Sequence, residues 1–95
     1  AIILAQAGLQ ALGIDREYTR LPIVPAVGQG IIALQTRKTD IETNNIVSKA
    51  NHDLTYRQAK LERALLKGIG GDCHTKVAAY ATGDNPIKLE AVYYD

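Results

Sequence analysis

Cys73 has the most chemistry open to it, because it is the only cysteine in the chain and lies in the run Gly70-Gly-Asp-Cys-His-Thr75. Glycines there let the backbone bend sharply and present a thiol at a loop tip, where something bulky can be attached. A thiol without a partner cysteine is free to form a thioether. His74 and Lys76 favour its thiolate, whereas Asp72 and the C-terminus of the preceding helix oppose it. On spacing alone, an incidental free thiol is the first reading. Histidine is a common acid-base group and ligand, but neither His52 nor His74 has a carboxylate or cysteine at a spacing that closes a site, so both read as surface or cap-adjacent residues.

Two other patterns need weighing. Gly28-Gln-Gly30-Ile-Ile-Ala33 matches a dinucleotide-binding fingerprint, and Asp53 follows at a suitable distance. That fingerprint needs a strand before it and a helix opening from it, so that phosphate meets a helix N-terminus. Here Pro22 and Pro25 interrupt the approach, and β-branched residues follow Gly30. A glycine-loosened hinge is the ordinary explanation, and a nucleotide-binding module stays as an alternative. Arg57, Lys60, Arg63 and Lys67, with Glu62 among them, read as the solvated face of a helix.

The elements that must hold these residues follow from periodicity and caps. Ala1 to Ala5 is continuously apolar, like a buried strand, and Ala7 to Leu12 reads as a short helix ending at Gly13. Ile14 to Arg20 is polar, and the prolines keep the following segment extended. Ile31 to Gln35 again reads as a strand. Thr39 with Glu42 predicts a capping box for a helix over about 40–50, with Asp40 in its first turn. Asp53 is the expected N-cap of a second helix, in which Leu54, Gln58, Leu61 and Leu65 recur on one side and Gly68, Gly70 and Gly71 stop the run. Beyond Cys73 the period becomes two: Val77, Ala79 and Ala81 share a face, residues 82–86 turn, and Ile87, Leu89, Ala91 and Tyr93 share a face. The expected class is α+β, two helices packed on a small antiparallel sheet, preceded by strand, helix and strand pieces.

Composition narrows the function classes. The chain has 95 residues, so any core is modest, and with no Phe, Trp or Met it must be built from small aliphatics and some of the five Tyr. Lys and Arg number 11 against 10 for Asp and Glu. That balance favours neither nucleic acid nor an anionic membrane as partner. One cysteine excludes an internal disulfide, no Cys/His spacing suits a structural metal, and a reducing, cytoplasmic setting fits. The apolar opening run is too short to span a membrane, and a start without Met reads as a piece of a longer protein.

Three stretches together resemble the porphobilinogen deaminase (hydroxymethylbilane synthase) family. Pro25-Ala-Val-Gly-Gln-Gly30 is similar to its PAVGQG segment. Glu62-Arg-Ala-Leu-Leu66, then Gly70-Gly71, Cys73 and Ala78-Ala-Tyr-Ala81, are similar to its run around the cofactor cysteine. Ala1 to Gly13 resembles its strand and AGL-type helix start.

The resemblance implies a cytoplasmic transferase of tetrapyrrole and heme biosynthesis that joins four porphobilinogen molecules head to tail with release of ammonia. Its growing chain is primed on a dipyrromethane cofactor held through a thioether, here at Cys73. Porphobilinogen and linear oligopyrroles are the implied partners. Residues 1–21 are then the end of the second domain, 22–38 a linker and strand returning to the first, and 39–95 part of the C-terminal cofactor-attachment domain. Gly8 and Gln29 are expected to face the cofactor. No catalytic residue falls in this stretch, since the family's substrate-binding arginines and aspartate lie mainly upstream. The stretch alone is expected to be inactive and, with a bare strand edge, to self-associate, while the parent is expected to be a monomer. Two departures stand out: Ala11 where the family usually has an arginine that contacts substrate carboxylates, and Lys76 where it commonly has proline. They leave a non-catalytic relative or small binding domain as the principal alternative.

Overall fold

The structure, a computed structural model, describes residues 1–72 and 74–94. Each helix is set by the residues at its ends. Helix α1, Gln6–Ala11, sits one residue earlier than expected, and closes with the Gly13 N–H donating to the Gln10 carbonyl and the Ile14 N–H to that of Leu9. Helix α2, Ile41–Ser48, is capped by Asp40: the Thr43 N–H donates to Asp40 Oδ1 at 3.1 Å and its hydroxyl to Oδ2 at 2.7 Å. The expected Thr39–Glu42 box is therefore replaced by Asp40–Thr43, in which one carboxylate holds two donors of the first turn. Those bonds favour the ionised form and hold the Asp40 pKa below 3.8, the Thr43 hydroxyl contributing most.

At helix α3, Asp53–Gly68, the cap is also displaced by one residue, in the opposite direction. His52, not Asp53, is the N-cap: its Nδ1 accepts the Thr55 N–H and lies 2.7 Å from the Thr55 hydroxyl. Asp53 is the first helical residue and accepts from Asn51 Nδ2 at 2.9 Å. An acidic side chain is still favourable there against the helix dipole. The expected apolar stripe of Leu54, Leu61 and Leu65 is half-buried, while Arg57, Lys60, Arg63 and Lys67 are exposed. At its far end the Gly71 N–H reaches the Leu66 carbonyl at 2.8 Å and the Gly70 N–H that of Lys67 at 3.0 Å. This six-to-one and five-to-two pair needs a left-handed residue, which Gly70 supplies at φ +70°.

Strands β1, Val77–Thr82, and β2, Lys88–Tyr93, form an antiparallel hairpin in the register Val77 to Tyr93 through Thr82 to Lys88. Helix α3 lies against β1, and the buried apolar residues among those described are Ala78, Ala79 and Ala81. Arg57 pairs with Asp84 at 2.8 Å and Gln58 Nε2 donates to the Gly83 carbonyl at 2.9 Å, which ties the helix to the hairpin turn. Helix α2 is anchored differently, through Asn44, whose side chain meets the Thr36 hydroxyl and donates to the Arg37 carbonyl. The α+β architecture is as expected, with α3 as the helix that covers the sheet.

Two expected strands are absent. Residues 1–5 and 31–35 form no ladder, and Ile2, Ile3, Leu4, Ile32 and Leu34 are largely exposed. A strand exists by exchanging N–H and C=O with a neighbour. Among the described residues the two edges of β1 are taken, one by β2 and the other by the short contact Ala26 to Ala78, with the Ala79 N–H donating to the Pro25 carbonyl at 3.0 Å. Neither apolar run finds a ladder of its own.

Candidate functional site

The segment that touches β1 leaves it through two consecutive turns. The Gln29 N–H donates to the Ala26 carbonyl at 3.0 Å and the Ile31 N–H to that of Gly28 at 3.3 Å. Gly28 (φ +76°) and Gly30 (φ +81°) each sit at the third position of their turn, where a type II turn requires a left-handed residue. The two glycines are thus consumed by turn geometry. No helix opens after them, so the feature by which the dinucleotide fingerprint binds phosphate is missing. Gln29 is exposed and borders a cavity of about 320 Å³ between this turn, α3 and β1.

Between α3 and β1 the chain makes a polar bend. The Asp72 N–H donates to Thr75 Oγ1 at 2.8 Å, the Thr75 N–H returns to the Asp72 carbonyl at 3.1 Å, and Asp72 Oδ1 accepts the His74 N–H at 2.8 Å. Gly71 is pressed against this bend and the helix. A Cβ built there comes within 2.7 Å of Leu66 Cδ1 and 2.9 Å of Thr75 Oγ1, so a larger residue displaces one of them. Asp72, His74 and Lys76 are all exposed. Cys73 itself lies outside the described residues.

Glu62 joins the Gly28–Gly30 turn to β1. It is 2% exposed, and its Oε1 accepts the Gly28 N–H at 2.9 Å while its Oε2 accepts the Ala81 N–H at 3.0 Å. Read from the sequence as part of a solvated basic face, Glu62 is instead the buried charged residue of the described chain. The signal was present: Glu62 follows Gln58 by four residues and so continues the inward stripe. The charged neighbours Lys60 and Arg63 masked it.

Comparison with known proteins decides the family. A model described as "Porphobilinogen deaminase, dipyromethane cofactor binding domain" matches residues 1–45. A probable porphobilinogen deaminase of Hyperthermus butylicus is 45% identical over 84 residues, 85% of this chain and 28% of that protein. The porphobilinogen deaminase of an Exiguobacterium species is 44% identical over 87 residues, 86% of the chain and 28% of its own length. A probable porphobilinogen deaminase of Methanocaldococcus jannaschii is 39% identical over 92 residues, 94% of the chain and 32% of that protein. The chain belongs to the porphobilinogen deaminase family. It spans about three-tenths of the length of these relatives. No solved structure matches it at a significant level.

Within this chain the family model covers the Gly28–Gly30 turn and stops at residue 45, before α3 and the bend. The alignment with the Methanocaldococcus protein, at 94% of the chain, necessarily continues across residues 70–82. Of the residues expected to face the cofactor, Gln29 lies beside Glu62 and β1, whereas Gly8 lies inside α1. The side-chain hydrogen bonds of α1 run to its own downstream segment, Gln6 Nε2 donating to the Tyr18 hydroxyl and Gln6 Oε1 accepting from Arg20, and no hydrogen bond among the described residues joins α1 to the turn or the bend. Ala11 is the exposed last residue of α1, and Lys76 is exposed with its carbonyl accepting the Tyr94 N–H at 2.7 Å.

Proposed function

We propose that the chain is the part of a hydroxymethylbilane synthase that holds the dipyrromethane primer, attached by a thioether at Cys73. The observation that carries this reading is the alignment with porphobilinogen deaminases across an exposed bend whose flanking residues are pinned by their own hydrogen bonds. A linear pyrrole pair needs an attachment point open to solvent and held still. Exposed Asp72 and His74 on either side, with no apolar side chain among the described residues closing over them, fit such a group.

When bound, the dipyrromethane supplies the pyrrole terminus to which four porphobilinogen units are added head to tail with release of ammonia. The residues of this chain bind and orient. Gly70 turns the chain out of α3, the Asp72–Thr75 bonds fix the bend, and Lys76 adds a positive charge three residues along the chain from Cys73, favouring the thiolate that attacks carbon. Gln29 and the backbone of its turn are the polar groups offered from the matched cofactor-binding stretch. Donors of this kind suit the many carboxylates of a pyrrole chain.

In this reading residues 1–21 end the second domain, 22–38 return to the first, and 39–95 begin the C-terminal domain. Exposed Ile2, Ile3 and Ile32 are consistent with faces that other parts of the parent cover. Alone, the stretch is inactive and self-associates, while the parent works as a cytoplasmic monomer. Among the described residues no helix is long and apolar enough to cross a membrane. The deciding experiment is the intact mass of the full-length protein. The wild type carries a dipyrromethane-sized increment and Cys73→Ser lacks it; equal, unmodified masses reject the assignment.

A further inference from the structure

Attachment at Cys73 leaves the buried carboxylate of Glu62 without a role. Taking a charge out of water is unfavourable unless partners replace the lost hydration. Among the described residues that replacement comes from two backbone N–H groups, those of Gly28 and Ala81, 34 and 19 residues away in sequence. Both donors sit where a backbone acceptor is missing. Along one edge of an antiparallel strand, alternate residues point their N–H outward. On β1 that edge presents Ala79, which bonds to Pro25, and then Ala81, which comes after the adjoining segment has turned away. Glu62 reaches over from α3, takes the Ala81 N–H and holds the departing turn by its Gly28 N–H.

We propose that Glu62 is a positioning residue: its carboxylate locks the Gly28–Gly30 turn, and Gln29 with it, to the strand that follows the Cys73 bend. On the reading above, turn and bend both face the lengthening pyrrole chain, and Glu62 keeps their spacing constant as units are added. Glutamine cannot do this. Its amide offers one acceptor and one donor, and the donor faces an N–H across a gap built for an oxygen.

The test uses the full-length protein as wild type and E62Q, with three measurements. Hydrogen exchange of peptides covering residues 26–31 and 78–82 is expected to quicken roughly tenfold in E62Q, as loss of one charge-assisted bond implies. Intact mass is expected to show the Cys73 adduct retained. Per adduct-bearing molecule, kcat is expected to fall roughly tenfold with KM for porphobilinogen little changed, because loosened spacing acts on addition more than on first binding. A purely structural Glu62 lowers the folded fraction and leaves kcat per loaded molecule intact; that result, or unchanged exchange, overturns the proposal. Should E62Q not fold, E62D is read by the same measures, since it keeps the charge but is one methylene too short to bridge both amides. If the wild type carries no adduct, the Cys73 reading falls, and the exchange result alone decides for or against Glu62.

Discussion

Residues 1–37 are richer in apolar side chains than residues 39–94, yet bury fewer of them. In the second region α3 covers β1, Ala79 is fully buried and Ala81 is 3% exposed. In the first, α1 buries nothing and Ile32 is 92% exposed. Both regions contain a helix closed by the same glycine-dependent bonding, at Gly13 and at Gly70. Local signals therefore operate equally well in each. What separates them is whether a second element from the same stretch is available to receive the apolar face.

Substitutions can break or sharpen this contrast. The largest effect is expected at Ala79→Leu, which forces new methylenes between α3 and the sheet; unfolding by urea should show a loss of about 1–3 kcal/mol. Ile3→Ala, although it removes more apolar surface, should stay within about 0.5 kcal/mol because that side chain is already in water. A comparable loss at Ile3 would mean that its side chain is packed after all. Next comes Gly70→Ala, whose left-handed backbone strains any Cβ and should lower stability by about 1 kcal/mol. The matching Gly13→Ala change should shorten α1 without moving the unfolding midpoint.

The smallest effect concerns Asp40. Its folded-state pKa is lowered by the Thr43 hydroxyl and N–H, so its contribution to α2 is present above the ordinary value of 3.8 and is lost as pH falls through the lowered one. An NMR titration of the Thr43 amide should report that loss below pH 3.8, and Asp40→Asn should abolish it.

Much of the second region was legible in the sequence. The 3.6-residue recurrence of Leu54, Leu61 and Leu65 marked α3, the glycines marked its end, and the two-residue alternation from Val77 marked the hairpin. Caps were misplaced by one residue because Asp40 and His52 compete successfully with Thr39 and Asp53, and only the backbone angles choose between them. The strands expected at residues 1–5 and 31–35 failed for a different reason: hydrophobic runs announce burial, but ladder partners are a property of the surrounding chain. At the candidate site, the bend and the turn could be found from glycine spacing. Glu62 was harder to find: its place four residues after Gln58 continues the inward stripe, but a carboxylate between Lys60 and Arg63 has the composition of a solvated face, and the approach of the turn and the strand edge makes it an interior group.

Ala79 and Ala81, which share a face of β1, are thin side chains that still shed water, and they let the axis of α3 settle close to the hairpin. That proximity brings a side chain of glutamate length within reach of the strand's rim. Bulkier residues on β1 would lift the helix away and leave the carboxylate short of its two amides, so the methyl groups act as a spacer gauge for a polar contact that none of them makes.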